Sequence, residues 1–284
     1  MAELLKGKPV ADAINERMKK DIKTLCEKGI TPTLAILRVG ERDDDIAYER
    51  GATKRCEAVG VKVEKRTLPA DVDEKIFFNE LKALNEDEKI HGILMFQPLP
   101  KHLDEEKARK MLLCDKDVDG GTDGSLAGVF TNSKEGFAPC TAQAAMEILK
   151  YYGVELSGKK AAIIGRSLVI GRPVAMMLMH ENATITICHT RTKNVAEITR
   201  GADIIVAASG QMESLGREYF SEGQVVVDVG ISWNEKKQKL CGDVLFEEAE
   251  PLVSAITPVP GGVGAVTTAV LVSHVVEAAI KKSL

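Results

Sequence analysis

The stretch from Lys159 to Thr192, KKAAIIGRSLVIGRPVAMMLMHENATITICHTRT, restricts what this chain can fold into more than any other. Ala161 to Ile164 is a short apolar run, Gly165-Arg166-Ser167 interrupts it, Gly171-Arg172-Pro173 opens an apolar helix, and Ala183 to Cys188 is a second, β-branched run. Strand, glycine loop, helix, strand is the first unit of a dinucleotide-binding βαβ fold. Gly165 lets the chain turn sharply off the strand. Gly171 lets backbone approach a pyrophosphate at the helix N-terminus, where unpaired N–H groups and the helix dipole favour an anion. The spacing G-x-x-x-x-x-G-x-P is looser than G-x-G-x-x-G, so by itself it also fits a plain tight connection.

The end of the second strand narrows the cofactor. An NAD site expects Asp or Glu about 20 residues past the glycine loop, whereas a 2′-phosphate calls for basic and hydroxyl groups. Here the strand ends Cys188-His189-Thr190-Arg191-Thr192 without an acid, and Arg166 projects from the loop. That combination favours NADP over NAD. The plain alternative is that Arg166 and Arg191 are solvated charges.

Composition excludes several classes. A chain of 284 residues holds two medium domains, and 44% hydrophobic residues is ordinary for a globular protein. A net charge of −4 leaves no basic footprint for nucleic acid. The six cysteines, Cys26, Cys56, Cys114, Cys140, Cys188 and Cys241, show no C-x-x-C and no His at zinc spacing, which reads as reduced thiols. The N-terminus lacks a signal-peptide pattern, and no apolar run reads as a membrane span of roughly 18 residues, so a cytoplasmic protein without a membrane partner is expected.

Taken in order, residues 8–28 carry a helical apolar stripe, 31–40 is a strand stopping at Gly40, and Asp43 to Val59 is a polar helix closing at Gly60. A strand (61–68), a helix (74–84), a strand (91–96) and a helix (104–113) follow. Alternating strands and helices imply a parallel α/β sheet with ligands beyond the strands' carboxyl ends. The loop Asp115 to Gly121 is dense in carboxylates, but it lacks the Glu that a calcium loop needs at its twelfth position, which is Leu126, so no metal is expected. A glycine-rich run to Phe130 and a turn from Lys134 to Pro139 read as a connector, before a helix at 141–152. Past Thr192 come a helix (195–200), strands at 203–208 and 223–229, the Pro/Gly stretch Ile256 to Gly264, and an apolar helix from Thr267 that should pack back on the first domain. The expected domains are 1–140 plus 267–284, and 141–266, with a ligand cleft between them.

These residues resemble the methylenetetrahydrofolate dehydrogenase/cyclohydrolase family over nearly the whole chain. The motifs that carry the resemblance are DKDVDG (115–120), PCT (139–141), Gly165-Arg166-Ser167 with Gly171-Arg172-Pro173, VDVGI (227–231), GDV (242–244) and TPVPGGVG (257–264). The resemblance implies a two-domain α/β fold, a parallel-sheet folate/catalytic domain and a Rossmann-type NADP-binding domain. It implies oxidation of 5,10-methylenetetrahydrofolate to the 5,10-methenyl cation, which most members then hydrolyse to 10-formyltetrahydrofolate, and a homodimer through the nucleotide domain. Tyr48 and Asp119 would be the catalytic and folate-contacting pair, with Asp119 on the pterin ring. Pro258, Pro260, Gly261 and Gly262 would line the folate site. The dinucleotide would be held by Gly165, Arg166, Ser167, Gly171, Pro173, His189, Thr190, Arg191 and Ile231. As plain alternatives, Tyr48 could be a helix-to-core aromatic, Asp119 could cap the following turn, and Asp228 could orient the loop at its strand end.

Two departures fall on the hydrolytic step. Family members usually carry Tyr-x-x-x-Lys on the second helix, but here Tyr48 is followed at the lysine position by Ala52. The glutamine that stands two residues before the first proline of the Q-x-P-x-P turn is Phe96. Lys54 and Gln97 are near in sequence but out of register; Lys54 lies about 200° further around the helix. Asp45 also replaces a frequent serine, and Ala142 a frequent proline. Hydride transfer depends mainly on positioning and cofactor chemistry, whereas ring hydrolysis needs a proton-moving group that alanine cannot supply. A dehydrogenase with little or no cyclohydrolase activity is therefore expected. The alternatives are full bifunctionality with Lys54 brought into the site, and a non-catalytic folate-binding protein.

Overall fold

The computed structural model describes residues 1–133 and 135–283. In chain order the elements are β1 (Glu3–Leu4), α1 (Gly7–Glu27), β2 (Thr33–Val39), α2 (Asp43–Val59), β3 (Lys62–Leu68), α3 (Glu74–Glu86), β4 (Gly92–Met95), α4 (Glu105–Met111), α5 (Asp123–Thr131) and α6 (Cys140–Tyr151). They continue with β5 (Lys160–Ile164), α7 (Gly171–His180), β6 (Thr184–Cys188), α8 (Val195–Arg200), β7 (Ile204–Ala207), β8 (Val225–Asp228), β9 (Ser232–Asn234), β10 (Lys239–Cys241), α9 (Phe246–Ala249), β11 (Ala255–Ile256) and α10 (Gly264–Lys282). The chain divides into two compact units, one of residues 13–140 and 268–284, the other of residues 1–12 and 141–267. The first twelve residues thus group with the nucleotide unit, not with the first domain as expected. The reason is local: β1 pairs in parallel with β11, Glu3 opposite Ala255 and Leu4 opposite Ile256.

The first unit is built on a parallel sheet ordered β3-β2-β4. Every residue of β2 is buried, as a central parallel strand covered on both faces requires. Its core joins Leu37, Phe77, Leu81, Ile93 and Leu112; a side chain as fully enclosed as Phe77 contributes about 1.5–3 kcal/mol. Asp73 caps α3 by accepting from Lys75 N and Ile76 N, and Gly60 closes α2 in the left-handed region at φ 88. From α10, Val275 approaches Gly92, and the His274 imidazole reaches the Val118 carbonyl at 2.8 Å. By length and composition α10 could cross a membrane, which the sequence reading did not anticipate; 61% of that window is buried inside the protein, as in a core helix. It begins at Gly264, three residues earlier than expected.

The second unit carries a parallel sheet ordered β1-β11-β8-β7-β5-β6. Ile163, Ile205, Val206, Val226 and Val227 are wholly enclosed, so the inner strands β5, β7 and β8 are near-continuous apolar runs, whereas the edge strand β6 alternates. Five elements escaped the sequence reading here: β1, the two strands of the antiparallel hairpin β9-β10, α9 and β11. In the first unit, α5 stands where a glycine-rich connector was expected. Of the turn expected at 134–139, Lys134 lies outside the described residues.

Candidate active site

In the nucleotide unit, β5 ends at Ile164 and the chain turns at Gly165, whose φ is 129. A Cβ there would overlap the Ala208 carbonyl, and one at Gly171 would overlap the Gly165 carbonyl. Only glycine fits at either place, and the loop is thereby drawn tight against the start of α7. The Ser167 hydroxyl accepts from Ile170 N at 3.1 Å and, more weakly, from Gly171 N at 3.5 Å, so this side chain helps to form the helix start. Pro173 is buried in the first turn, where a missing N–H leaves no helical bond unmade. Its role is to pack. Arg166, Ser167, Leu168 and Val169 remain exposed on the loop.

At the neighbouring strand end, His189 N donates to the Thr192 hydroxyl at 2.9 Å and Arg191 N to His189 Nδ1 at 3.1 Å. This tight turn leaves Thr190 and Arg191 exposed, with no carboxylate at the end of β6. Gly165 N donates to Cys188 O, so the two strand ends are adjacent. A glycine cradle that excludes side chains, a helix N-terminus and exposed hydroxyl and guanidinium groups suit a dinucleotide.

Beside them, Asp228 and Asp243 tie together the loops at the ends of β7 and β8. The Asp228 carboxylate accepts from Gly230 N (2.9 Å), Asp243 N (3.1 Å) and Val244 N (2.9 Å). Asp243 accepts from Ser209 N (2.6 Å), the Ser209 hydroxyl (2.9 Å) and Gly210 N (3.0 Å). Burial, with Asp243 adding to it, pushes the Asp228 carboxyl up to about 7. Asp228 therefore orients the loop that presents Ile231, itself 60% exposed. Thr257 joins this group: its hydroxyl accepts from Asp228 N at 2.8 Å. The Pro258–Gly262 turn follows in the same unit, with Gly261 in the left-handed region and Gly262 packed beneath Pro258.

In the other unit, Tyr48 and Asp119 come together. The carboxylate-rich loop is organised by Asp117, which accepts from Gly120 N (3.1 Å), Gly121 N (3.1 Å), Thr122 N (2.7 Å) and the Ser125 hydroxyl (2.7 Å). Asp117 thus does the capping, and Asp119 is released from it. The Asp119 side chain is accessible by surface area, yet the protein around it and the Asp117 carboxylate push its carboxyl up to about 6. Tyr48 is half-buried; desolvation first and the Asp119 charge second hold its phenol well above the ordinary range. A phenol so raised stays protonated at neutral pH and can donate, not abstract. The Cys140 thiol is likewise held neutral by burial and by Asp119. It donates to Val118 O at 3.2 Å and lies 3.7 Å from His274 Nδ1. The sequence reading quoted Cys140 inside a motif without a role and passed over His274 and Asp117, because only the folded backbone shows which groups brace the residue next to Asp119.

Phe96 meets Tyr48 edge to face, ring centroids 5.9 Å apart at 88°. Ala52 is completely buried on the same helix face, one turn beyond Tyr48. Lys54 and Gln97 are exposed. On the continuous helix α2 the residue one turn beyond Tyr48 is thus the alanine at position 52, and Lys54 leaves from another face.

Two family models match the chain: the catalytic domain of tetrahydrofolate dehydrogenase/cyclohydrolase over residues 5–119, and its NAD(P)-binding domain over residues 139–283. The chain belongs to this family. A protein of Carboxydothermus hydrogenoformans called bifunctional protein FolD is 52% identical, covering 98% of this chain and 97% of its own. One of the same name from Clostridioides difficile is 46% identical over 97% of this chain and 96% of its own. Among solved structures, the FolD methylenetetrahydrofolate dehydrogenase/cyclohydrolase of Campylobacter jejuni superposes with a TM-score of 0.95 at 38% identity, covering 99% of each chain. The Trypanosoma brucei dehydrogenase-cyclohydrolase, solved with NADP and an inhibitor, superposes at 0.91 with 34% identity, covering 99% of this chain and 98% of its own. The chain therefore has the family's two-domain α/β architecture.

Proposed function

We propose that this protein oxidises 5,10-methylenetetrahydrofolate to the 5,10-methenyl cation with NADP and hydrolyses that cation weakly or not at all. The observation that carries the reading is the trio on one face of the folate unit: Tyr48, the buried Ala52 and Phe96 packed on the Tyr48 ring. The bound nicotinamide would supply the hydride acceptor. The groups of the folate unit position the folate: the Asp119 carboxylate accepts from pterin N–H groups, and the protonated Tyr48 phenol and its ring wall it. Arg166, Ser167, Thr190 and Arg191 would take the 2′-phosphate, and the loop ending in Ile231 the nicotinamide end. Positioning of this kind leaves oxidation intact, whereas loss of a placed proton carrier costs about 10²- to 10⁴-fold in hydrolysis.

A second reading keeps both activities. It is favoured by the name of the relatives, bifunctional protein FolD, and by the Asp119 carboxyl at about 6, within range of a general base. Decay of purified methenyltetrahydrofolate, measured beside NADP-dependent oxidation of methylenetetrahydrofolate on the same preparation, separates the two. Robust oxidation with only spontaneous decay supports a dehydrogenase; accelerated decay favours the bifunctional reading. No activity with full folate binding would instead mean a non-catalytic folate protein. A cytoplasmic homodimer is part of the proposal, supported on compartment by six unpaired cysteines and on assembly by family membership. Light scattering on a size-exclusion column tests the latter.

A further inference from the structure

The face that carries Tyr48 is unusual in its charge. Asp119 is an accessible carboxyl, and Asp117 stands behind it as a second, buried acid. Tyr48 is close enough to feel the Asp119 charge and meets the Phe96 ring at a right angle, and aromatic faces attract cations. Three cations of the neighbouring elements are paired elsewhere. The Arg38 guanidinium is tied to Glu49 at 2.8 Å, the Lys65 ammonium to the same carboxylate at 2.9 Å, and Arg42 donates to Pro98 O at 3.3 Å while facing Asp45. Lys54 is exposed on another face of α2, and the position one turn from Tyr48 is the methyl of Ala52. The methenyl product carries a delocalised positive charge across its five-membered ring, whereas the methylene substrate and tetrahydrofolate are neutral there.

We propose that Tyr48, Phe96 and Asp119 form a cation-accepting surface that binds the methenyl product more tightly than neutral folates, with Phe96 as the residue that determines this preference. The inference rests on the dehydrogenase reading above and extends it. The oxidised folate is retained by attraction rather than discharged by hydrolysis, so a separate reaction that opens or reduces the methenyl ring must consume it.

The test titrates the full-length protein with 5,10-methenyltetrahydrofolate, followed by stopped flow through its own chromophore before it hydrolyses, and then displaces it with tetrahydrofolate. The wild type should bind the methenyl form at least about tenfold more tightly, a difference within the range of a desolvated cation–π contact. Phe96→Leu should lose about tenfold for the methenyl form alone, and Phe96→Tyr should keep the preference. Equal wild-type affinities overturn the inference, as does a Phe96→Leu protein weakened equally for both folates. The wild-type ratio decides the matter if the leucine variant does not fold. NADP-dependent oxidation is assayed on the same sample: its persistence with equal affinities removes this inference only, whereas absence of both oxidation and folate binding removes the dehydrogenase reading with it.

Discussion

Asp228 is a carboxyl pulled in two directions, and Asp228→Asn separates them. Three backbone N–H groups point at it, at 2.9, 3.1 and 2.9 Å, which favours the ionised form. Near-complete burial, at 3% exposure, and the adjacent Asp243 favour the neutral form and prevail, placing the group at about 7. An unfolded Asp titrates at about 3.9. Because the folded value is raised, the folded state holds a proton that the unfolded chain has released. The associated stability is present below about pH 4 and is lost as pH rises to about 7, at most about 4 kcal/mol at ~1.36 kcal/mol per unit. Asparagine removes that dependence. Its carbonyl can keep Gly230 N and Asp243 N, but its NH₂ meets Val244 N–H donor to donor, a cost of about 1–3 kcal/mol at every pH. The variant should therefore be the less stable protein at pH 4 and the more stable at pH 8, the curves crossing between about pH 5 and 6. Urea unfolding followed by the emission of Trp233, the single tryptophan, reads the nucleotide unit directly. A variant less stable by the same amount at both pH values would refute the argument, since it would mean that the three N–H groups keep Asp228 ionised.

Three further outcomes follow from the sites. Ala52→Lys with Phe96→Gln should raise methenyltetrahydrofolate hydrolysis by about 10²-fold or more over the parent, at a packing cost of about 1–3 kcal/mol because Ala52 is fully buried; unchanged decay in a folded variant that still oxidises would sink the register argument. Arg166→Ala should raise the KM for NADP about 10- to 100-fold, the worth of a charge-assisted hydrogen bond, and spare NAD; equal loss for both cofactors contradicts the 2′-phosphate assignment. With the Asp119 carboxyl at about 6, kcat/KM for the folate should fall as pH drops through that value and the carboxylate protonates, and Asp119→Asn should be slow and lack that acid limb; a variant with the parent's pH profile would place the titration elsewhere.

Much of the architecture was legible because parallel α/β proteins advertise themselves locally. Each central strand is an apolar run that ends at glycine or proline, and the helices between them carry their own caps, as Gly60 does for α2. What was hidden depends on distant partners. β1 is two residues long and is a strand only because β11, some 250 positions later in the chain, offers it a parallel edge. That pairing also moves residues 1–12 into the nucleotide unit. α5 was masked by its own glycines: Gly124 and Gly128 read as loop, but a Cβ at Gly128 would overlap the Glu135 carbonyl, so the residue serves close packing within a helix.

The site was legible in the same uneven way. Glycines at Gly165 and Gly171 can be read because sterics leave no other residue for a loop drawn so close. The acids of DKDVDG cannot be told apart by type, since each is an aspartate two positions from the next. The fold distinguishes them by where backbone donors converge. Asp117 is taken by three N–H groups and the Ser125 hydroxyl, so the peptide immediately after it is rigid. Val118 O is held from the other side by His274 and Cys140. Asp119 is thus presented from a braced backbone while its own carboxyl stays accessible. The braces are a carboxylate two residues earlier, a thiol from α6 and an imidazole from α10. The motif is one unit of chemistry distributed over three elements, and a sequence shows only the pieces.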